Sequence, residues 1–268
     1  FLPALDSGKV VLSTLRIYSM SNTTLLHELI ALSANSSPGT IALSHGGNLI
    51  SYGELLDEVT RFSSGLMHLG IQRGERVAIY LEKRFETVIA SFGATAAGGV
   101  FVPLNPLLKA EQVGYILRDC NVRVLVTSPE RLALLQETLP ACRDLRHVVV
   151  LDSAEPLPTI DGLNLCRWRD LLAAPAMPGH RVIDTDVVGI LYTSGSTGKP
   201  KGGVLSHRNM VAGAKSVASY LENRADDTLL AALPLSFDAG FSQLTTAFHV
   251  GARVVLLNYL LPRDVLKA

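Results

Sequence analysis

Short uninterrupted apolar runs recur along this chain, Val124-Leu125-Val126 and Val148-Val149-Val150 being the clearest, separated by stretches with apolar residues at helical spacing. A strand with one wet face alternates apolar and polar side chains. Unbroken β-branched runs instead call for burial on both faces, which a parallel sheet covered by helices supplies. The pattern predicts strands over 76–81, 100–103, 123–127 and 147–151, with helices over 85–97, 111–119 and 129–139 between them. Upstream, Leu25, Leu29 and Leu32 predict an amphipathic helix over 23–35, followed by an extended piece at 41–44. Ser51 and Glu54 have the spacing of a capping box, so a second helix starts there. Its buried stripe is Leu55, Val59, Phe62, Leu66 and Leu69, and Gly70 closes it. The fold class is α/β, layered, with largely parallel sheets.

Residues 153–181, rich in Pro, Ala and Asp, predict a connection with one short helix at 168–172. The alternation then resumes: strand 187–192, a helix after Ser206, strand 229–233, helix 242–249 and strand 253–257. This divides the chain into a tail over 1–20, a first α/β part over 21–180 and a second part over 181–268. No internal repeat or low-complexity tract interrupts it.

With 48% hydrophobic and 18% charged residues over 268 positions, the chain has ample material for a packed core. Lysine plus arginine and aspartate plus glutamate balance at 24 each, so neither a nucleic-acid footprint nor an acidic solvating tail is present. A small-molecule partner fits better. Cys120, Cys142 and Cys166 are odd in number and widely spaced, which suits neither a disulfide framework nor a zinc site and points to a reducing, cytoplasmic setting. The longest uncharged stretch, 87–108, is broken by Gly93, Gly98, Gly99, Pro103 and Pro106 and makes a poor membrane span. The first methionine is Met20 and the chain stops as a helix begins after Pro262, so a partial product is expected.

One segment carries most of the chemistry: Tyr192-Thr193-Ser194-Gly195-Ser196-Thr197-Gly198-Lys199-Pro200-Lys201-Gly202-Gly203, placed after an apolar strand and before a helix. Polyphosphate needs backbone N–H donors, close approach and positive charge. Four glycines, four small hydroxyls and two lysines supply them. A flexible Gly/Ser linker has similar composition, but linkers do not normally join a buried strand to an amphipathic helix. The nucleoside-triphosphatase loop G-x-x-x-x-G-K-[ST] fails here: Thr193 stands five before Gly198, and Pro200 follows Lys199 where a metal-binding hydroxyl is required. The dinucleotide pattern G-x-G-x-x-G fails as well.

Residues 192–202, continuing through Ser206-His207-Arg208-Asn209, resemble the signature of the adenylate-forming superfamily, which includes acyl-CoA synthetases, adenylation domains of nonribosomal peptide synthetases, and luciferases. Residues 50–55 (Ile-Ser-Tyr-Gly-Glu-Leu) and 97–106 (Ala-Gly-Gly-Val-Phe-Val-Pro-Leu-Asn-Pro) are similar to two earlier motifs of that family, in the same order. The resemblance implies the N-terminal domain of such an enzyme, with Thr193, Ser194, Gly195, Ser196, Thr197, Gly198, Lys199 and Lys201 on the β- and γ-phosphates of ATP. It implies that a carboxylic acid is activated as acyl-AMP with release of Mg-pyrophosphate, and that a thiol of coenzyme A or of a phosphopantetheine carrier protein then takes the acyl group. The reacting nucleophile belongs to the substrate, so positioning and electrostatics dominate and no catalytic triad or protein-bound metal is assigned.

In that family the segment Pro234-Leu235-Ser236-Phe237-Asp238-Ala239-Gly240-Phe241 borders the acid. Many fatty and aryl acid ligases have histidine where Phe237 stands; Phe237-Asp238 instead resembles the amino-acid-activating branch, whose aspartate holds the substrate ammonium. Asp238 equally suits an acidic residue at a helix N-terminus, and both readings stay open. Its flanks look closest to bacterial acyl-CoA ligases associated with exosortase systems. His207 and His249 read as structural, and Asp184 and Asp186 as a solvated turn. The family's adenine, ribose and magnesium motifs and its C-terminal domain find no counterpart before Ala268, so this chain alone is expected to be inactive. A non-catalytic nucleotide-binding module and a phosphotransferase are the competing functions.

Overall fold

The computed structural model describes residues 23–193, 200–259 and 261–267. Two sheets share a helical layer. The seven-stranded sheet has the order β7-β6-β5-β3-β4-β8-β9, built from Arg76–Tyr80 (β3), Val100–Pro103 (β4), Val122–Thr127 (β5), His147–Val150 (β6), Asn164–Arg167 (β7), Val187–Thr193 (β8) and Lys201–Ser206 (β9). Every pairing in it is parallel except β8 with β9. The four-stranded sheet, β10-β11-β1-β2, joins Ile41–His45 (β1) and Asn48–Ser51 (β2) to Thr228–Ala231 (β10) and Arg253–Leu256 (β11). The predicted division at residue 180 therefore follows the chain rather than the sheets, since each sheet draws strands from both sides of it.

The continuous apolar runs behave as two-faced strands should. Val77, Ile79, Phe101, Val124, Val126, Val149 and Val188 enter a core shared with Tyr52–His68 (α2), Phe85–Ala96 (α3), Trp168–Leu172 (α6) and Asp238–Val250 (α8). Their alternate neighbours Ala78, Val102, Leu125, Val148 and Val150 pack against Ala110–Asp119 (α4) and Pro129–Leu135 (α5). The four-stranded sheet closes the first core from its far side with Leu43, Val254 and Leu256, alongside Glu28–Ser36 (α1) and part of His207–Tyr220 (α7). Helix Pro262–Lys267 (α9) follows β11.

At the centre of the shared layer Phe241 of α8 stacks on Phe101 of β4 at 4.6 Å between ring centroids and on Phe92 of α3 at 5.8 Å. Room for the Phe101 ring comes from Gly189 on β8, where a Cβ would sit 2.7 Å from that ring. The capping box expected at Ser51 forms: its hydroxyl accepts the Glu54 N–H while the Glu54 carboxylate accepts the Ser51 N–H at 2.8 Å.

Several expectations need correction. Residues 201–206, read as loop leading into a helix, form β9 and run back antiparallel along β8. Glycine at 202 favours this: a Cβ there would lie 2.7 Å from the Ile190 side chain and 3.1 Å from the Tyr192 ring, so a larger residue would displace both. The helix expected from 242 starts a turn earlier, at Asp238. Part of the connection 153–181 is β7, and residues 48–51 make a second strand of a hairpin with β1.

Candidate functional site

The strand order locates the site. From β4 the chain returns past β3 to place β5 beyond it, whereas from β8, on the other side of β4, it runs outward to β9, so the connections leave the neighbours β4 and β8 in opposite directions. Open α/β sheets bind ligands in the crevice outside the carboxyl ends of strands at such a reversal. Two cavities lie there, flanking the exit of β4 and sharing Pro103, Leu104 and Asn105 as their common wall.

The smaller, about 310 Å³, brings together residues that are distant in sequence: Gln112 and Ile116 of α4, Tyr192 and Thr193 at the end of β8, Pro200 before β9, and Phe237 before α8. Thr193 and Lys201 are directly opposed in the β8–β9 ladder. Opposed residues of an antiparallel pair project to the same face, so a hydroxyl and an ammonium stand together at the base of the hairpin whose loop carries the glycines. Ser194, Gly195, Ser196, Thr197, Gly198 and Lys199 lie outside the described residues. Phe237 and Asp238 are both exposed, and Asp238 is the first residue of α8. The structure thus gathers Thr193, Pro200 and Phe237 around one cleft, with Lys201 opposed to Thr193 beside it.

Tyr192 anchors the entry to that loop. Its ring is buried between α4 and Gly202, and its hydroxyl donates to Asp119 Oδ2 at 2.6 Å. Burial, reinforced by the Asp119 carboxylate, pushes the phenol far above its usual range, so it stays a donor. At the other end of β9, Ser206 caps α7 through the Asn209 N–H. His207 is buried there, and its Nδ1 accepts the Leu26 N–H at 3.0 Å, which leaves the proton on Nε2. Burial, with His27 beside it, lowers its pKa to about 4. It acts here as a structural acceptor.

The larger cavity, about 430 Å³, lies on the opposite side of the shared wall and is lined mainly by Ile79, Leu81, Leu107 and Leu235, with Lys83 and Arg131 as its cations. Arg131 is held by Glu82 and by the Pro106 carbonyl at 2.7 Å. Lys83 was not singled out by sequence reasoning. Its position two residues after a predicted strand, at the ligand-binding end of an α/β sheet, is the signal that marks it. Among the described residues no three His, Cys, Asp or Glu side chains gather as a metal site. No helix among them is long and apolar enough to cross a membrane.

Residues 30–267 match the family described as AMP-binding enzyme. The chain belongs to that family. The crotonobetaine/carnitine–CoA ligase of Escherichia coli is 31% identical over 231 residues, covering 85% of this chain and 43% of the ligase. Bacitracin synthase 1 of Bacillus licheniformis is 29% identical over 234 residues, covering 87% of this chain and 4% of that protein. Among solved structures, the anthranilate CoA ligase AuaEII in complex with anthranoyl-AMP superposes with a TM-score of 0.81 at 26% identity, over 88% of this chain and 45% of the ligase. VinN in complex with L-aspartate superposes at 0.73 with 30% identity, over 87% and 57%. The chain thus spans less than two thirds of each of these relatives.

Proposed function

We propose that this chain carries the phosphate-binding and acid-facing part of an ATP-dependent ligase that activates a carboxylic acid as an acyl-adenylate. The substrate carboxylate oxygen attacks the α-phosphorus of ATP, the bond to the β-phosphate breaks and pyrophosphate leaves. The thiol sulfur of coenzyme A or of a phosphopantetheine carrier then attacks the acyl carbon, the bond to the phosphate oxygen breaks, AMP leaves and the thiol proton passes to solvent. The observation that carries this reading is the cleft at the strand-order reversal, where Thr193, Pro200 and Phe237 converge.

The protein's part is positioning and charge. Among the described residues, Thr193 and Lys201 offer a hydroxyl donor and a cation on one face, which suits a triphosphate. In this reading Lys201, exposed on β9, offsets charge gathering on departing pyrophosphate. The apolar end of the cleft and Phe237 receive the acid, and Asp238 is the candidate to hold an ammonium if that acid is an amino acid. Relatives of both kinds support the reading, one crystallised with anthranoyl-AMP and one with L-aspartate.

The test is acid-dependent exchange of labelled pyrophosphate into ATP by the full-length protein, across fatty, aryl and amino acids. Exchange with one class and AMP as product are expected, and Lys201→Ala should raise the apparent KM for ATP by roughly tenfold or more, the value of one charge-assisted contact. A folded, ATP-binding protein that exchanges with no acid would reduce the reading to a nucleotide-binding module, and ADP as product would make it a phosphotransferase.

A further inference from the structure

Phe237 and Asp238 depend on how the chain leaves β10, and that exit is held from the other sheet. Lys83, just past β3, reaches across and donates from Nζ to three consecutive carbonyls, Ala231 at 3.1 Å, Ala232 at 2.6 Å and Leu233 at 3.2 Å. An ammonium has three N–H donors, so these carbonyls use all of them. The backbone of Lys83 is tied as firmly: its N–H donates to Asn258 Oδ1 at 3.2 Å and its carbonyl accepts Asn258 Nδ2 at 2.7 Å, beyond the end of β11. The residue is 9% exposed.

A cation withdrawn this far from water is an expensive way to join two sheets, since an apolar side chain of similar length would pack there without the desolvation cost. What an apolar side chain lacks is direction. Gln243 of α8 braces the same stretch from inside, donating to the Leu230 carbonyl at 2.9 Å and accepting the Leu233 N–H at 3.3 Å. Gly240 lets the first turn of α8 close onto it, because a Cβ there would fall 1.9 Å from the Pro234 oxygen. Beyond these braces the chain becomes the partition between the two cavities: Pro234, Leu235 and Ser236 line the larger and Phe237 lines the smaller.

We propose that Lys83 is a positioning residue for acid recognition, setting the partition 234–237 and with it the placement of Phe237 and Asp238. This rests on the adenylation reading for its substrate and on the geometry alone for its action on the partition. Burial, which lowers the Lys83 pKa to about 8, is consistent with an ammonium held by carbonyls and no carboxylate.

Two measurements test it. In the exchange assay Lys83→Met should raise the KM for the acid roughly tenfold while the KM for ATP stays within about twofold, and Lys83→Arg, which keeps donors at that end, should recover part of the loss. A residue that only stabilises the fold would lower the active fraction and leave both KM values unmoved, and that result overturns the proposal. If no acid supports exchange, the adenylation reading fails separately, and Lys83 is judged by hydrogen–deuterium exchange on the 268-residue chain. Faster exchange confined to residues 231–241 in Lys83→Met supports the positioning role; unchanged exchange there, or faster exchange throughout, overturns it.

Discussion

The two sides of the seven-stranded sheet are held together by different forces. On one side, β5, β6 and β7 run parallel, with Val124, Leu125, Val126, Val148, Val149 and Val150 all at most 1% exposed. On the other, the β8–β9 hairpin leaves Val187 40% and Val204 60% exposed, and every residue of 201–204 is open to solvent. Val188 and Leu191 seat β8 in the core, but β9 has little apolar cover, and polar contacts add to its support: Tyr192 on Asp119, His207 on the Leu26 N–H, and the pairs Arg208–Asp184 and Arg73–Asp186 around its far end. Both residues at the open end of the hairpin, Thr193 and Lys201, are exposed. Discrete anchors fix its position while leaving the loop's surroundings accessible.

The largest contrast tests whether burial is the whole support of the parallel side. Leu125→Ala should lower the unfolding free energy by about 3 kcal/mol, the transfer loss plus the cavity it leaves. Val204→Ala should cost under about 1 kcal/mol, from β-propensity and modest packing alone. Equal losses in denaturant melts would mean that the hairpin is as deeply integrated as the parallel strands and would break the distinction.

Acid separates the two sides further. His207 stays neutral in the folded protein down to about pH 4, whereas an unfolded histidine protonates near 6.5. Between those values the unfolded chain binds more protons. The contribution is therefore whole above about pH 6.5 and is lost as pH falls towards 4, a change on the order of 3 kcal/mol for that shift. The groups facing the imidazole are His27, whose own pKa burial lowers, and Asp184 and Asp186, which act the opposite way on His207. His207→Gln keeps a side-chain acceptor for the Leu26 N–H without titrating. The stability difference between pH 7 and pH 4 should shrink by about that amount in the variant, and identical acid profiles for both proteins would remove His207 as an anchor.

The same contrast explains what could be read from residue order. The parallel side is written locally: apolar runs, helical stripes and a Ser51–Glu54 cap each fall within a few residues, and strands β3 to β6 appear close to where the pattern puts them. The hairpin was hidden because Gly202-Gly203 has the composition of a loop, and only the approach of Ile190 and Tyr192 shows why glycine is needed in a strand there. Thr193 and Phe237 were singled out separately through motif resemblance, but their meeting at one cleft depends on the sheet order. Lys83 lay beyond sequence reasoning for the same reason, since its three carbonyl partners are about 150 residues away and come from the other sheet.

The smallest effect isolates one anchor of the hairpin. Tyr192→Phe removes the hydroxyl that donates to Asp119 and leaves the ring over Gly202 in place. Asp119 is itself exposed, so water takes over its lost partner and the stability cost should be near 1 kcal/mol. The effect on nucleotide should exceed that modest figure in kind. The opposed pair Thr193 and Lys201 stands one step beyond the Tyr192–Gly202 pair at the open end of the hairpin, so slack in the anchor acts on both. A weaker ATP affinity by a few-fold in calorimetric titration, with Tm almost unchanged, is the expected signature of an anchor whose value is geometric. If Tyr192→Phe lowers Tm and leaves ATP affinity alone, the hydrogen bond serves the fold and the loop is positioned by the β8–β9 ladder itself.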